Sequence, residues 1–196
     1  MSAAPQAAAE AVLDFWFGRP GDPEHGSSRA PWFESDASFD RAVGAHCRAL
    51  HEQAAAGELD AWAATPRGAL ALVILLDQVP RNLYRGTPRA FATDAQALGH
   101  ARAALAAGFD QAMTPLERWF LYLPFEHSEA LADQRRAVAL FEALPDHPER
   151  DEALAFVRRH CEIIERFGRF PHRNAALGRP TTAQEQAFLD GGGFNG

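Results

Sequence analysis

Residues 166–174, RFGRFPHRN, concentrate positive charge and hydrogen-bond donors in a chain whose formal net charge is −7. Part of this stretch is typical of a helix end. Gly168 and Pro171 stop the helix, and Arg166 complements the negative end of its dipole. Asn174 is a natural cap for the short segment that follows. The remaining donors need another explanation.

Arg169, His172 and Arg173 are the donors that a helix end does not explain, and Arg179 follows shortly after them. Arginine binds carboxylate and phosphate through two parallel hydrogen bonds, so these side chains predict a site for an anionic ligand. An ion-pair network inside the fold explains them equally well. The carboxylates available to such a network are Asp77, Glu126 and Glu129.

A second polar group follows the most apolar part of the chain, ALALVILL at residues 69–76. Asp77 then falls near the negative end of the helix dipole and below the surface, so it requires an arginine or other donors close by. We favour a buried Asp–Arg clamp over a ligand or catalytic role for this carboxylate. The ligand-binding candidates of this segment are Asp77, Arg81 and Asn82.

The histidines supply candidate acid–base groups. His127 lies in a turn, where Ser128 is typical of an N-cap and Glu129 of a first helical turn. Because sequence neighbours need not touch, His127 and Ser128 do not indicate a hydrolase triad. His160 falls on the apolar face of its helix, where a histidine is usually only hydrogen-bonded. The catalytic candidates are His127, His160, His172 and Glu129.

A metal site is a weaker hypothesis. Three histidines and one carboxylate would suit zinc, iron or another transition metal if His127, His160, His172 and Asp77 converged. No two of these histidines have a metal-ligand spacing such as HxxxH. We therefore assign no metal ligands and leave the cofactor unknown.

Helical periodicity dominates the chain and predicts an all-α, single-domain fold over residues 1–196. About eight helices with short connections predict antiparallel neighbours in an array or bundle. The predicted N-caps are Asp36, Thr65, Thr114, Ser128 and Thr182, and a further helix is predicted to begin near Thr93 and Asp94. Residues 18–31 are predicted to form a loop and residues 191–196 a flexible tail.

Prolines set the predicted helix ends. The apolar helix that begins at Thr65 and Pro66 is predicted to stop at Val79, because Pro80 has no backbone N–H to continue it. In the same way, Pro124 is predicted to end the helix that begins at Thr114.

Composition excludes several classes of function. All nineteen basic residues are arginine, so lysine Schiff-base, phosphate-loop and kinase-type lysine chemistry are excluded. A sequence pI near 5.6 argues against nucleic-acid binding. We see neither a signal peptide nor the roughly 20 apolar residues of a membrane span. Cys47 and Cys161 are too far apart to suggest a disulfide framework, which favours the cytoplasm.

Three segments together resemble a known bacterial family, the domain of unknown function 924. They are LDQVPRNLYRGTPRAFATDAQAL, LYLPFEHSEALADQ and RFGRFPHRNAALGR. The resemblance implies an all-helical fold similar to tetratricopeptide-like arrays, and it implies no activity. The motif positions are Asp77, Gln78, Pro80, Arg81, Asn82, His127, Ser128, Glu129, Arg166, Gly168, Arg169, Pro171, His172, Arg173 and Asn174.

The leading hypothesis is a site for an anionic small molecule with general acid–base activity, as in a hydrolase or lyase. Arg81, Arg169 and Arg173 would hold the anion, and a histidine would move the proton. The ligand-binding candidates outside the first segment are Arg166, Arg169, Arg173 and Asn174. One alternative is a non-catalytic module that binds a peptide or protein in a helical groove. A metal-dependent enzyme is the third.

Overall fold

The computed structural model describes residues 3–22, 25–32 and 34–194, which form α-helices joined by short 3₁₀ turns. No strand occurs within these ranges, so the all-α prediction is confirmed. The helices are α1 (Ala3–Phe17), α2 (Ala37–Ala55), α3 (Pro66–Val73), α4 (Val79–Leu83), α5 (Asp94–Ala106), α6 (Pro115–Glu126), α7 (Leu131–Glu142), α8 (Arg150–Phe167) and α9 (Ala183–Asp190). A π-helical turn, Ile74–Gln78, joins α3 to α4.

Side-chain caps explain where α2, α3, α6 and α9 begin. The Asp36 carboxylate accepts the backbone N–H groups of Ser38 and Phe39 at the start of α2. Thr114 and Thr182 each form a complete capping box with a glutamate three positions later. These predicted starts are confirmed, since each cap satisfies donors that the first helical turn leaves unpaired.

The apolar helix α3 is the centre of the fold. It packs against α1, α5 and α6, while α2 covers α4 and α7 lies against both α6 and α8. Residues 69–76 are almost completely buried, which explains why this segment is apolar on every side. The tetratricopeptide-like arrangement of these helices stays a prediction.

The predicted helix end at Val79 is wrong, because the helical path continues through Pro80 to Leu83. The π turn makes this possible: the Val79 N–H donates to the Ile74 carbonyl, five residues back instead of four. A backbone N–H at position 80 would donate to the Leu76 carbonyl in an α pattern or to the Leu75 carbonyl in a π pattern. Pro80 has no N–H, so it can donate to neither carbonyl.

Two side chains from other elements supply the donors that Pro80 lacks. Thr93 Oγ1 donates to Leu76 O, and His51 Nδ1 donates to Leu75 O at 2.8 Å. Both side chains are buried, so water cannot replace them. Burial lowers the pKa of His51, which keeps its ring neutral.

Two further predicted boundaries are wrong. Helix α6 passes through Pro124 to Glu126, and the buried residues on both sides of the proline show that packing outweighs one lost backbone hydrogen bond. Helix α7 begins at Leu131 and not at Ser128. Ser128 Oγ accepts the Ala130 N–H and donates to Asp133, so it caps the turn that precedes the helix.

The predicted loop 18–31 ends in a 3₁₀ turn, Ala30–Trp32, and positions 23 and 24 lie outside the described residues. The flexible tail 191–196 stays a prediction, and positions 195 and 196 also lie outside the description. No helix in the described ranges is long and apolar enough to cross a bilayer.

Thr93→Val tests the support of the π turn. The substitution leaves the Leu76 carbonyl buried without its side-chain donor, so we expect a loss of about 1–3 kcal/mol in the free energy of unfolding. Thr87→Val is the matched control, because Thr87 also donates to a backbone carbonyl but is exposed. Urea unfolding of both variants measures the difference. Equal losses would contradict a special role for Thr93.

Candidate functional site

Polar side chains converge where six elements meet: the π turn, α4, the start of α5, the end of α6, helix α8 and the 3₁₀ turn Pro171–Arg173. We call this group the central polar cluster. Its members are Asp77, Arg81, Asp94, Glu126, His127, His160, His172 and Arg173. Sequence positions up to 96 residues apart are thus brought together by the packing of these elements.

Asp77 is the buried centre of the cluster, with an exposed fraction of 0%. Its carboxylate accepts His127 Nδ1 at 2.8 and 3.0 Å and Gln78 Nε2 at 2.6 Å, and Arg81 Nη1 lies 3.6 Å away. Burial alone would raise the pKa of Asp77, but the charge of Arg81 and the hydrogen bonds from His127 and Gln78 outweigh it. The pKa therefore lies well below its usual value, and the group is an anion.

His127 is held in one orientation by that anion. Burial and the charge of Arg81 lower the pKa of His127, although Asp77 opposes this shift. The ring is therefore neutral near pH 7, with its proton on Nδ1 and its lone pair on Nε2. The side chain is 15% exposed, so it lies at the edge of the buried region. This arrangement suits a general base.

Arg81 and Arg173 share one carboxylate, Asp94. Arg81 binds it through two nitrogens at 2.9 and 3.2 Å and also donates to the Asp77 carbonyl. Arg173 makes one hydrogen bond to Asp94, at 3.3 Å. Two arginines therefore depend on one Asp94 side chain, and Arg81 has the larger share of it.

Arg173 is the least satisfied cation of the cluster. It is only 6% exposed, and its Nε is buried without a hydrogen-bond partner. Its guanidinium carbon lies over the rings of Phe91 and Phe170, at 4.7 and 4.6 Å from their centroids. Burial and the charge of Arg81 lower the pKa of Arg173 to about 10. A buried cation with unused donors is suited to bind an anion.

His160 forms a second histidine–carboxylate pair in the cluster. Its Nδ1 donates to the Phe156 carbonyl at 2.9 Å and lies 3.0 Å from Glu126 Oε1. The ring centroids of His160 and His127 are 6.5 Å apart. The two pairs are therefore neighbours, which the apolar position of His160 in its helix did not indicate.

His172 contributes a ring without a polar partner. Its Nδ1 is buried and makes no hydrogen bond. Burial, together with the charge of Arg173, lowers the pKa of His172 to about 3. The ring is therefore neutral at physiological pH.

Both candidate asparagines, Asn82 and Asn174, make hydrogen bonds within the fold. Asn82 donates to the Gln78 carbonyl and accepts Arg85. Asn174 accepts Arg179 Nε at 3.0 Å and is completely buried. These partners fix the ends of the π turn and of the 3₁₀ turn. Both asparagine side chains therefore bind residues outside the cluster.

The remaining candidates lie in ion pairs or on the surface. Arg169 binds Glu185 at 2.6 and 2.8 Å, and Glu129 binds Arg179 at 2.7 and 3.0 Å. Arg166 is exposed and lies over the Phe167 and Phe188 rings. The internal ion-pair interpretation therefore describes Arg169 and Arg179, and the structure does not bring Arg166, Arg169 or Glu129 into the cluster.

Two residues of the site, one half-buried and one buried, were missed from the sequence. Asp94 was interpreted only as the start of α5, although an acid there is also free to bind arginine. Gln134 is completely buried, and its amide donates to the carbonyls of Glu126 and Ser128 at 2.5 and 2.6 Å. It thereby fixes the backbone on both sides of His127, and no sequence signal marks it.

A surface groove of about 620 Å³ is lined by side chains such as Phe15, Pro31 and Phe39, none of which belongs to the cluster. Within the described part of the chain, no three histidine, cysteine, aspartate or glutamate side chains are grouped so that they could hold a metal ion. Geometry therefore gives the metal hypothesis no support.

Fold and site together define an all-α protein with a buried Asp–His–Arg cluster at the meeting point of its helix ends. The chain belongs to the family described as bacterial protein of unknown function (DUF924), whose model matches residues 12–193. It is also similar to a solved structure of a protein of unknown function from Agrobacterium tumefaciens. The two chains are 41% identical, the match covers 95% of this chain and 98% of that one, and the TM-score is 0.83. No curated protein matches the chain.

Arg169→Ala tests the structural role of the Arg169–Glu185 pair. We expect a lower melting temperature, because Glu185 is buried and would lose both of its arginine contacts. Calorimetry measures the melting temperature, and Arg159→Ala, at an exposed arginine of α8, is the control. An unchanged melting temperature would leave Arg169 free for a ligand role.

The lowered pKa of His172 predicts a pH dependence of stability. The unfolded chain binds this proton near pH 6.5, whereas the folded protein binds it only near pH 3. Stability is therefore complete above about pH 6.5 and falls as the pH is lowered toward 3. The free energy of unfolding, measured from pH 7 to 4, should fall less steeply in His172→Gln than in the unsubstituted protein. Parallel curves would contradict the prediction.

Proposed function

We propose that this protein is an enzyme that uses His127 as a general acid–base group on an anionic small molecule. One observation carries the proposal: the buried carboxylate of Asp77 accepts the His127 Nδ1 proton at 2.8 Å. A histidine oriented in this way presents Nε2 as its reactive atom.

Proton transfer would proceed through Nε2. In the resting state, neutral His127 takes a proton from the substrate or from a water molecule. The resulting positive charge is stabilised by the Asp77 anion, which remains ionised because Arg81 and Gln78 also bind it. Asp77 thus sets the tautomer and the orientation of the ring without itself receiving the proton.

Arg173 is the residue best suited to hold the anionic group of the substrate. Its buried Nε has no partner, and its one bond to Asp94 is long. A carboxylate or phosphate could bind to the unused guanidinium edge. Arg81 is committed to Asp77 and Asp94, so its contribution is the positive potential of the site.

The reaction classes that fit a single histidine base with an anion-binding arginine are hydrolysis and elimination. His160 and His172 are the candidates for a second proton-transfer group. The proposal includes a cytoplasmic location, as the two separated cysteines suggest.

His127→Gln tests the acid–base role. Purified protein is incubated with a bacterial metabolite extract, and mass spectrometry records which anions are consumed. We expect turnover in the unsubstituted protein and a loss of about 10²–10⁴-fold in the variant, the usual contribution of a general acid–base group. His46→Gln is the matched control, because His46 is exposed and lies outside the cluster.

Asp77→Asn separates orientation from chemistry. The asparagine amide can donate its NH₂ to Nδ1, which a carboxylate cannot do, so the preferred tautomer of His127 should change, as recorded by ¹⁵N chemical shifts of the ring. Consumption of the metabolite should fall together with this change. Unchanged turnover in His127→Gln would refute the proposed function.

A further inference from the structure

The aromatic ring of Phe194 covers two histidines of the central polar cluster. Its centroid lies 4.5 Å from that of His160 and 5.3 Å from that of His172, and both pairs meet edge to face. Phe170 contacts the same two histidines, with ring centroids at 5.4 and 5.5 Å. His160, His172 and Phe170 therefore form an aromatic box, and Phe194 fills its open side.

The segment that carries Phe194 consists of three glycines, Gly191 to Gly193. Gly193 donates its N–H to the Phe188 carbonyl, and a Cβ at Gly193 would lie 2.4 Å from that oxygen. Gly192 has a φ of 76°, in the left-handed region that favours glycine. These glycines let the backbone turn back from α9 and bring Phe194 onto the box.

The box has an unused polar atom. The Nδ1 of His172 is buried without a hydrogen bond, and the ring of Phe194 that packs against His172, at 5.3 Å between centroids, is apolar. A phenyl ring cannot pair with that nitrogen, whereas a polar or heteroaromatic ring could. Phe194 therefore fills the box with a well-packed ring but leaves the His172 Nδ1 without a hydrogen bond.

The box also adjoins the unused cation of the cluster. His172 and Arg173 are consecutive residues of one 3₁₀ turn, and the Arg173 guanidinium lies 4.6 Å from the Phe170 centroid. A ligand with an anionic group on Arg173 would thus direct its neighbouring atoms toward the box. Planar rings are the groups that stack best against imidazole and phenyl.

We propose that Phe194 occupies a subsite for a planar ring, and that the ligand of this protein is an aromatic or heteroaromatic anion that displaces Phe194. The anionic group binds Arg173, and the ring enters the box of His160, His172 and Phe170. This substrate class rests on the proposed function for its anion site and its base. The displacement of Phe194 rests on the box alone.

Binding of benzoate and acetate to the full chain tests this proposal. Histidine side-chain NMR signals are titrated with each anion in the unsubstituted protein and in Phe194→Ala. Benzoate should bind Phe194→Ala about 2- to 12-fold more tightly, because it no longer competes with aromatic contacts of that strength. Acetate has no ring, so its affinity should be the same in both proteins.

Phe156→Ala is the control. Phe156 is an exposed aromatic residue of α8, so removal of its ring should leave benzoate binding unchanged. If Phe194→Ala lowers the melting temperature strongly, Phe194→Leu keeps apolar bulk without the ring and should change benzoate affinity in the same direction.

Three results would overturn the ring subsite. They are an absence of benzoate binding in both proteins, equal benzoate affinity in both, and an equal gain for acetate. The outcome is separable from the proposed function, because these titrations measure binding and not turnover. Tighter benzoate binding in Phe194→Ala with full activity in His127→Gln would keep the subsite and reject His127 as the base.

Discussion

The need to stabilise a fully buried carboxylate organises this structure. Asp77 has no contact with water, and an unpaired charge in that position would cost several kcal/mol. It is stabilised by donors from three places in the chain: Gln78 in the same π turn, Arg81 in α4 and His127 after α6. Satisfying one anion therefore ties the central helix to the end of α6 and, through Arg81 and Asp94, to the start of α5.

The π turn explains why a polar site can begin inside an apolar helix. Its wider turn absorbs Pro80 and lets the chain continue to Leu83, so Asp77 and Arg81 remain on one helical path. Thr93 and His51 donate to the Leu76 and Leu75 carbonyls, to which Pro80 cannot donate. Such turns are often found at functional sites. The irregular backbone and the polar cluster both depend on side chains from other elements: Thr93 and His51 for the π turn, and His127 for Asp77.

Local signals predicted most helix starts, and long-range packing decided what they missed. Asp36 and Thr114 satisfy donors within their own helices, so the sequence alone identifies these caps. Helix ends at Pro80 and Pro124 were predicted wrongly, since their continuation depends on buried neighbours that no local rule includes. For the site, the motif residues were recognisable, but the contact between Asp77 and His127 joins positions 50 residues apart. Only the packing of α6 against the π turn reveals it.

The position of Arg173 over two phenyl rings has a consequence for the kind of cation that the fold accepts. A guanidinium is flat and weakly hydrated, so it can lie against Phe91 and Phe170 and still offer hydrogen bonds at its edge. An ammonium group is compact and strongly hydrated, and it has neither a flat face nor paired donors. The chain contains no lysine, and at position 173 the exchange of arginine for lysine would not be conservative. The site between the Phe91 and Phe170 rings therefore requires a flat cation as well as a positive charge.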